Sequence, residues 1–463
     1  MKPMTLDGVE RAVGARDSLP SEHRAVTVGE VSTDSRRIRR GGLFIALRGE
    51  NFDGHDFLAE VEASGAAAAI VDRMPQPPLK MPCILVDDTR KALGRLGAHV
   101  RATLACPVIA VVGSNGKTST KNLIDAALRP SLKGTISPKS FNNDIGVPLT
   151  ILCCAEDDQY LVLEVGTNHP GEIANLAAIA QPDIAVITNC AAEHLEGLID
   201  IAGVRKENAE ILTGLRPGGL LIVHGDDPQL LAAVASHTGP RVTFGFSHEN
   251  DLWAADVHCG LDGSSFLMCD ERMVFVPHLG RHAALNALAA IAVARKLNVP
   301  DDCFIDGLFS AARPEMRLQI QRLGGILVLN DAYNANPASM RAALELFTQL
   351  PAHGRRVAVL GDMRELGASS EPMHREVGRM AARANLDALV CVGRDAGWIA
   401  ESAIAAGMRV DCVSRYADAA AASVIATWIA AGDLVLLKGS RAMTLEKIAR
   451  AFEQDSASVR KVG

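Results

Sequence analysis

Lys117 and Thr118 carry the most specific chemistry in the sequence. They follow Gly113-Ser114-Asn115-Gly116 at the end of an apolar, β-branched run from Pro107 to Val112, and they open a segment through Leu128 that reads as a helix. A strand, a glycine-bearing turn and a helix N-terminus in that order make a phosphate cradle. Gly113 and Gly116 let backbone amides approach an anion, and the helix end adds partial positive charge. Lys117 neutralises phosphate oxygens, the Thr118 hydroxyl can ligate Mg²⁺, and Ser119 follows in the first turn. The commoner loop has four residues between its glycines; here Ser114 and Asn115 are the two. Placed after a buried-type strand, the pattern predicts a nucleoside triphosphate site.

A second group of polar residues stands at the ends of other apolar runs. Tyr160 to Leu163 ends in Glu164, followed by Gly166-Thr167-Asn168-His169, and Asp183 to Thr188 ends in Asn189. Ligands of open α/β sheets gather at the carboxyl ends of strands, which brings Glu164 and Asn189 towards Lys117 and Thr118. A carboxylate there suits Mg²⁺, which takes oxygen ligands and substrate phosphates; the alternative is an ion pair with Lys or Arg. His194, in Ala192-Glu193-His194-Leu195-Glu196-Gly197, is a second metal ligand or a satisfied polar group, and the sequence leaves both open.

Three more polar loops end strands near the C-terminus: 330–337, 361–367 and 438–441. Near the N-terminus, Thr33-Asp34-Ser35-Arg36 and Asn51-Phe52-Asp53-Gly54-His55 flank strands. Taken alone they read as turns, with Arg36 solvated and His55 at the surface.

These residues must be held by α/β architecture. Residues 1–105 read as a small α/β domain with strands at Leu43 to Leu47, Ala68 to Val71 and Ile84 to Val86 and helices at Asp56 to Ser64 and Thr89 to Thr103. Residues 106–313 read as a central parallel-sheet, mononucleotide-binding P-loop domain, with helices at Val204 to Leu215 and Ala283 to Lys296. Its 241–277 stretch is β-rich, with a hairpin turn at Asp262-Gly263. Arg313-Pro314 marks the next boundary. Residues 314–463 then repeat strand and helix, with four buried-type strands from Ile326, Val357, Ala388 and Asp433, as in a doubly wound, Rossmann-like domain. Gln454 to Gly463 reads as a frayed tail.

At 463 residues the chain is long for one core, and 48% of it is apolar, so several folded domains are expected. The 47 basic and 54 acidic residues give −7 with no basic block, which implies neither nucleic acid nor an anionic membrane as partner. No N-terminal basic segment precedes an apolar core, and no run reaches the roughly 18 to 20 apolar residues of a membrane span. Cytoplasm is the expected compartment. The ten cysteines lie mostly alone in apolar runs and read as buried small hydrophobes.

With these segments in place, the chain resembles a known family across nearly its whole length. Gly113-Ser114-Asn115-Gly116-Lys117-Thr118-Ser119 looks like the short phosphate loop of the Mur ligases, the ATP-dependent amide-forming enzymes of peptidoglycan precursor synthesis in bacteria. That loop is shared with folylpolyglutamate and cyanophycin synthetases. Ser140-Phe141-Asn142-Asn143-Asp144, Asp331-Ala332-Tyr333-Asn334-Ala335-Asn336-Pro337 and Gly361-Asp362-Met363-Arg364-Glu365-Leu366-Gly367 are narrower. They resemble the member that adds D-alanyl-D-alanine to a UDP-N-acetylmuramoyl-tripeptide.

The resemblance implies ATP and Mg²⁺ as cofactors and a carboxylate activated as an acyl phosphate before the dipeptide amine attacks it. It implies that Lys117 and Thr118 hold the phosphates and Mg²⁺, with Glu164 and His194 as further magnesium ligands. Asn286 and Arg317 would contact the nucleotide, and Asn334, Asn336 and Asp362 would close over the adenosine from the C-terminal domain. Ser35, Arg36, Asp53, Gly54 and His55 would lie where the uridine nucleotide is received. Asn142, Asn143 and Thr167 would face the muramoyl peptide, and Lys438, Ser440 and Arg441 would neighbour the dipeptide. A monomer is expected, because the domains must close.

The sequence departs from the family at three places. Many members carry a carbamylated lysine two positions before the glutamate matching Glu210; here that position is Asn208, and Lys206 would point to another helical face. No carbamate is expected, and the Asn208 amide would do a weaker version of the work. Ala283 stands where an asparagine is common, and Met316 where a glycine usually precedes the arginine. The competing readings are the preceding diamino-acid-adding ligase, a small-molecule kinase and a nucleotide-gated switch.

Overall fold

A computed structural model describes residues 1–427 and 429–459 of the chain, whose strands fall into four sheets. Apolar residues on consecutive positions bury both faces of a strand, and the central strands show this fully. Every residue of Val108–Val112 and of Tyr160–Glu164 is buried. Val108–Val112 lies between Tyr160–Glu164 and Ile184–Ile187, parallel to both, with Val111 level with Glu164 and Val112 level with Ile187. That register brings Gly113, Glu164 and Thr188-Asn189 to one edge. The sheet has nine strands and runs parallel from Gly134–Ile136 to Leu252–Gly260. It finishes as an antiparallel meander, Leu252–Gly260, Gly263–Met268 and Met273–Val276; the first turn falls at Leu261-Asp262, one residue before the expected Asp262-Gly263, and Gly263 opens the second strand. Lys117–Leu128 and Arg281–Lys296 pack together over one face of this sheet.

The N-terminal residues build a four-stranded parallel sheet from Val31–Ser32, Leu43–Ile45, Ala68–Val71 and Cys83–Leu85. Helix Thr89–Thr103 leaves that sheet and packs on Gly146–Cys153 and Glu172–Ala180, two helices attached to the nine-stranded sheet. Two glycines permit the approach: a Cβ on Gly97 would meet Pro148 Cβ at 2.6 Å, and one on Gly94 would meet Ile179 at 3.1 Å. Arg101, fully buried, donates through Nε to Ala180 O at 2.8 Å and through NH2 to Gln181 O and Asp183 Oδ2, both at 2.7 Å. A single apolar core therefore runs from Leu6 through Leu93 and Val108 to Val234.

The C-terminal residues form a six-stranded sheet in the order Gln319–Leu323, Ile326–Asp331, Leu434–Lys438, Arg356–Gly361, Ala388–Val392, Val413–Tyr416. The sequence reading found the four inner strands and missed the two outer ones. Gln319–Leu323, the one antiparallel member, and Val413–Tyr416 are edge strands with no fully buried residue, so neither shows an apolar run. The expected tail is corrected in part. Helix Glu446–Val459 continues through Val459, and residues 460–463 lie outside the described residues. Among the described residues no helix is long and apolar enough to cross a membrane. The cysteines also depart from expectation: Cys106, Cys154 and Cys391 are buried, but Cys153 is exposed and the others are intermediate.

Candidate active site

The phosphate loop is fixed by the neighbouring strand end. Ser114 N–H donates to Asn189 O at 2.8 Å and Asn115 N–H to Asn189 Oδ1 at 3.0 Å, while Thr188 Oγ1 donates to Asn115 O at 2.7 Å. Both glycines have positive φ, 129° at Gly113 and 85° at Gly116. A Cβ on Gly113 would lie 2.1 Å from Thr188 Oγ1, and one on Gly116 would lie 2.5 Å from Asn286 Oδ1. Each glycine is thus needed twice, for its backbone and for the space it leaves. Lys117 Nζ donates to the loop carbonyls of Gly113 and Ser114 and stands 3.9 Å from Glu193 Oε1. Burial raises the Glu193 carboxyl above the usual carboxylate range, against the opposing pull of Lys117 and His194.

Glu164 is buried at the end of its strand. Its Oε1 accepts from Asn142 Nδ2 at 3.1 Å, whereas Oε2 is buried with no hydrogen-bond partner and faces Lys121 Nζ at 3.9 Å. Lys121 is buried too and donates to Ser137 O at 2.6 Å and Lys139 O at 2.7 Å. Burial lowers its pKa, and the nearby Glu164 resists that shift. A carboxylate oxygen without a partner, beside a phosphate loop that offers the Thr118 hydroxyl, fits a hard cation taking oxygen ligands. Among the described residues no group of three or more His, Cys, Asp or Glu is gathered for a metal, so a bound Mg²⁺ would take water and substrate oxygens as its other ligands. His194 is less free than expected, since its Nδ1 contacts Glu365 Oε2. Its Nε2 points towards Glu193 Oε2, 3.9 Å away.

The C-terminal sheet closes the site from the other side. Arg317 NH2 donates to Thr118 Oγ1 at 2.9 Å, and its guanidinium lies 4.0 Å from the Tyr333 ring centroid. Asn336 Nδ2 donates to Asn115 Oδ1 at 2.9 Å. The result is a cleft of about 880 Å³ whose walls include Ser114 to Ser119, Glu164, Asn286, Asn334, Asn336 and Lys438. Asn142, Asn143, Thr167, His194 and Arg317 line it as well. Lys438 is buried and turned inward, with Nζ 2.5 Å from Asp331 Oδ2 and 3.1 Å from Asn334 O. Ser440 and Arg441 line a second cavity of about 350 Å³, shared with Arg364 and meeting the first at Glu193 and His194.

Several expected residues stand elsewhere. Asp362 does not line the cleft: its buried carboxylate accepts from Ala396 N–H at 2.7 Å and holds the neighbouring loop of its own sheet. Asn208 does not line it either. Its Nδ2 donates back to Val204 O at 2.8 Å, and its neighbour Glu207 instead accepts from Gly171 N–H and Ile173 N–H, both at 2.8 Å. Ser35 and Arg36 lie in the turn after Val31–Ser32, and Asp53, Gly54 and His55 at the short helical turn Gly54–Phe57; none of the five lines the cleft, and the resemblance does not expect them there. Arg36 forks onto Asp34, both contacts at 2.9 Å, as the turn reading expects. His55 is buried, not at the surface. Its Nε2 lies 3.2 Å from Asp72 N, and its Nδ1 lies 2.7 Å from Asp53 Oδ1.

Sequence reasoning missed Lys121, Glu193 and Arg90, the last of which also lines the cleft. Lys121 had a signal, since it lies four residues after Lys117 on the same helical face; Glu193 and Arg90 had none short of the fold.

A short phosphate loop under a parallel sheet, a carboxylate one strand away and a second α/β sheet closing over both define a class of nucleotide-using ligase, and the chain belongs to the Mur ligase family. The description "Mur ligase family, catalytic domain" matches residues 27–101, "Mur ligase middle domain" 111–294 and "Mur ligase, glutamate ligase domain" 316–441. The chain is 37% identical to UDP-N-acetylmuramoyl-tripeptide–D-alanyl-D-alanine ligase of Bacillus subtilis, over 93% of this chain and 94% of that protein. Its fold is similar to a crystal structure of MurF from Acinetobacter baumannii, with TM-score 0.87 at 33% identity, covering 98% of this chain and 99% of that one. It is also similar to MurF ligase from Thermotoga maritima in complex with ADP, with TM-score 0.82 at 28% identity, covering 93% and 98%.

Proposed function

We infer that the chain is an ATP-dependent ligase that joins D-alanyl-D-alanine to UDP-N-acetylmuramoyl-tripeptide, forming the pentapeptide precursor of peptidoglycan. The observation that carries this reading is the single cleft walled by Lys117-Thr118, Glu164 and the polar loop Asn334–Asn336, which meets a second cavity bearing Arg364 and Arg441. Residues 1–105 receive the uridine nucleotide, 106–313 bind ATP, and 314–463 close on ATP and bind the dipeptide. The protein acts as a monomer in the cytoplasm.

In this reading the loop amides and Lys117 hold the phosphates of ATP while Arg317 and Asn286 fix the nucleotide. Thr118 and Glu164, with His194 beside them, would hold Mg²⁺, which would supply charge neutralisation at the transferring phosphoryl group. Asn142, Asn143 and Thr167 position the peptide carboxylate for attack on the γ-phosphate. The acyl phosphate forms in the large cleft, and the dipeptide amine reaches it from the smaller cavity, where Arg364, Ser440 and Arg441 suit its carboxylate. Phosphoryl transfer asks the protein for positioning and charge, so no covalent nucleophile is needed. Closure of the C-terminal sheet keeps water from the acyl phosphate.

The test is phosphate release from ATP with Mg²⁺ and the UDP-muramoyl-tripeptide, with and without D-alanyl-D-alanine, with the product followed by mass. A pentapeptide formed only with the dipeptide supports the reading. Turnover of the dipeptide-nucleotide with a diamino acid instead would move the chain one step back in the same pathway, and a stable phosphorylated product would make it a kinase. Activity is expected to be independent of added bicarbonate, because Asn208 cannot be carbamylated. Scattering with and without all ligands reads both the monomer and the closure.

A further inference from the structure

The wall of the main cleft near Asn142 carries an ion pair that the reaction outlined above leaves without work. Arg90 NH2 donates to Asp144 Oδ1 at 2.8 Å, and both side chains are about half exposed and line the cleft. The pair joins two rigid supports. Arg90 sits in the first turn of Thr89–Thr103, where Asp88 Oδ1 accepts from Arg90 N–H at 2.8 Å and from Lys91 N–H at 3.0 Å. Asp144 follows Asn143, whose Oδ1 accepts from Gly146 N–H at 2.9 Å and fixes the entry to helix Gly146–Cys153. The other acid on this wall, Glu172, is already engaged by Asn168 N–H at 2.7 Å and His169 N–H at 3.1 Å.

Position ties this pair to one part of the substrate. The carboxylate to be activated must lie by Lys117 and Glu164, and Asn142 touches Glu164 directly. Asp144 is two residues further on, a span of at most about 7 Å. A side chain that places its end group four carbons beyond the α-carbon reaches about 5 Å, and its charged atoms extend further. Arg90 and Asp144 line the same cleft as Lys117 and Glu164, so the side chain of the third residue, which carries the reacting carboxylate, runs along this wall towards the pair.

Resting on the function proposed above, we propose that Arg90 and Asp144 read the end of the third residue's side chain and select one bearing both an ammonium and a carboxylate, diaminopimelate, over one bearing an ammonium alone, lysine. A half-exposed ion pair contributes little and opens easily. A zwitterionic end restores what opening removes, with its carboxylate on the Arg90 fork and its ammonium on Asp144. A lysyl end can pair with Asp144 only beside the like charge of Arg90, now without its partner. Discrimination comes from that repulsion as much as from the new contacts.

The experiment compares pentapeptide formation by the full-length chain on the two UDP-muramoyl-tripeptides, ending in diaminopimelate or in lysine, for the native protein, R90Q and R90K. The native protein is expected to favour the diaminopimelate form. R90Q should lose about tenfold or more in kcat/KM on that form, mainly through KM, with no loss on the lysine form. R90K, which keeps the charge without the fork, should recover part of the loss. Equal use of both tripeptides by the native protein, or an equal fall on both in R90Q at unchanged melting temperature, would overturn the proposal. Turnover of neither tripeptide would instead overturn the ligase reading on which it rests.

Discussion

Asn336 Nδ2 donates to Asn115 Oδ1 at 2.9 Å, while the Oδ1 of the same Asn336 accepts from Ser339 N–H at 2.8 Å. One side chain thus caps helix Pro337–Gln349 and ties that helix to the phosphate loop, 221 residues away in sequence. Cap and tie are separable. Asn336→Ser keeps a capping oxygen but cannot reach Asn115, and should raise KM for ATP with a near-native melting temperature. Asn336→Ala should do the same and lose about 1 kcal/mol of stability. ATP kinetics and thermal melts on both variants check the separation.

Glu164 and Lys121 should likewise respond in two ways. Glu164→Gln removes the unpartnered oxygen offered to Mg²⁺ and leaves the buried Lys121 ammonium without its counter-charge. The Mg²⁺ concentration for half-maximal turnover should rise by about tenfold or more, and stability should fall by about 3 kcal/mol. Excess Mg²⁺ should restore rate but not melting temperature, and recovery of both would refute the assignment.

Met316 has φ of 52°, the left-handed region where a side chain is strained. A glycine at this position, as the resemblance leads one to expect, would carry no such strain. Met316→Gly relieves about 1 kcal/mol of strain and gives back part of it as chain entropy. A rise in melting temperature is expected, and a fall would show that the contact of Met316 Sδ with Arg441 NH1, at 3.8 Å, outweighs the strain.

His374 makes stability depend on pH. It is buried, its Nε2 accepts from Met363 N–H at 3.0 Å, and its Nδ1 contacts Ser370 O at 2.7 Å. Burial lowers its pKa below 6.5, so between the folded value and 6.5 the unfolded chain binds the proton and the folded chain does not. Its contribution is complete above about pH 6.5 and declines as the pH falls. Urea unfolding from pH 7 to pH 5 should show a slope smaller in His374→Gln than in the native chain, by up to about 1.4 kcal/mol per pH unit.

The strands that carry the site were legible because parallel strands buried on both faces leave continuous apolar runs, as at Val108–Val112 and Leu434–Lys438. Edge strands leave none, so Gln319–Leu323 and Val413–Tyr416 escaped. Lys117 and Glu164 could be found because their chemistry is local to a loop or a strand end. Residues whose meaning lies in a contact across the fold could not. His55 reads as a surface histidine until Asp72 arrives from 17 residues away, and Glu193 is one acid among 54 until burial singles it out. Asp362 is a polar strand-end residue whose carboxylate turns inward to hold its own sheet, a direction that only the fold shows.

The two junctions of the chain differ in material. Helix Thr89–Thr103 continues one apolar core from the N-terminal sheet into the central one, whereas of the buried residues filling the core around Leu329 and Leu360, Leu279 alone precedes residue 313. At that second junction the named contacts are polar: Asn336 to Asn115, Arg317 to Thr118, Glu365 to His194. Heat capacity follows the apolar area a motion uncovers. Opening and closing of the C-terminal sheet should thus carry little of it, leaving the enthalpy of that motion nearly constant with temperature, while detaching the N-terminal sheet would resemble unfolding.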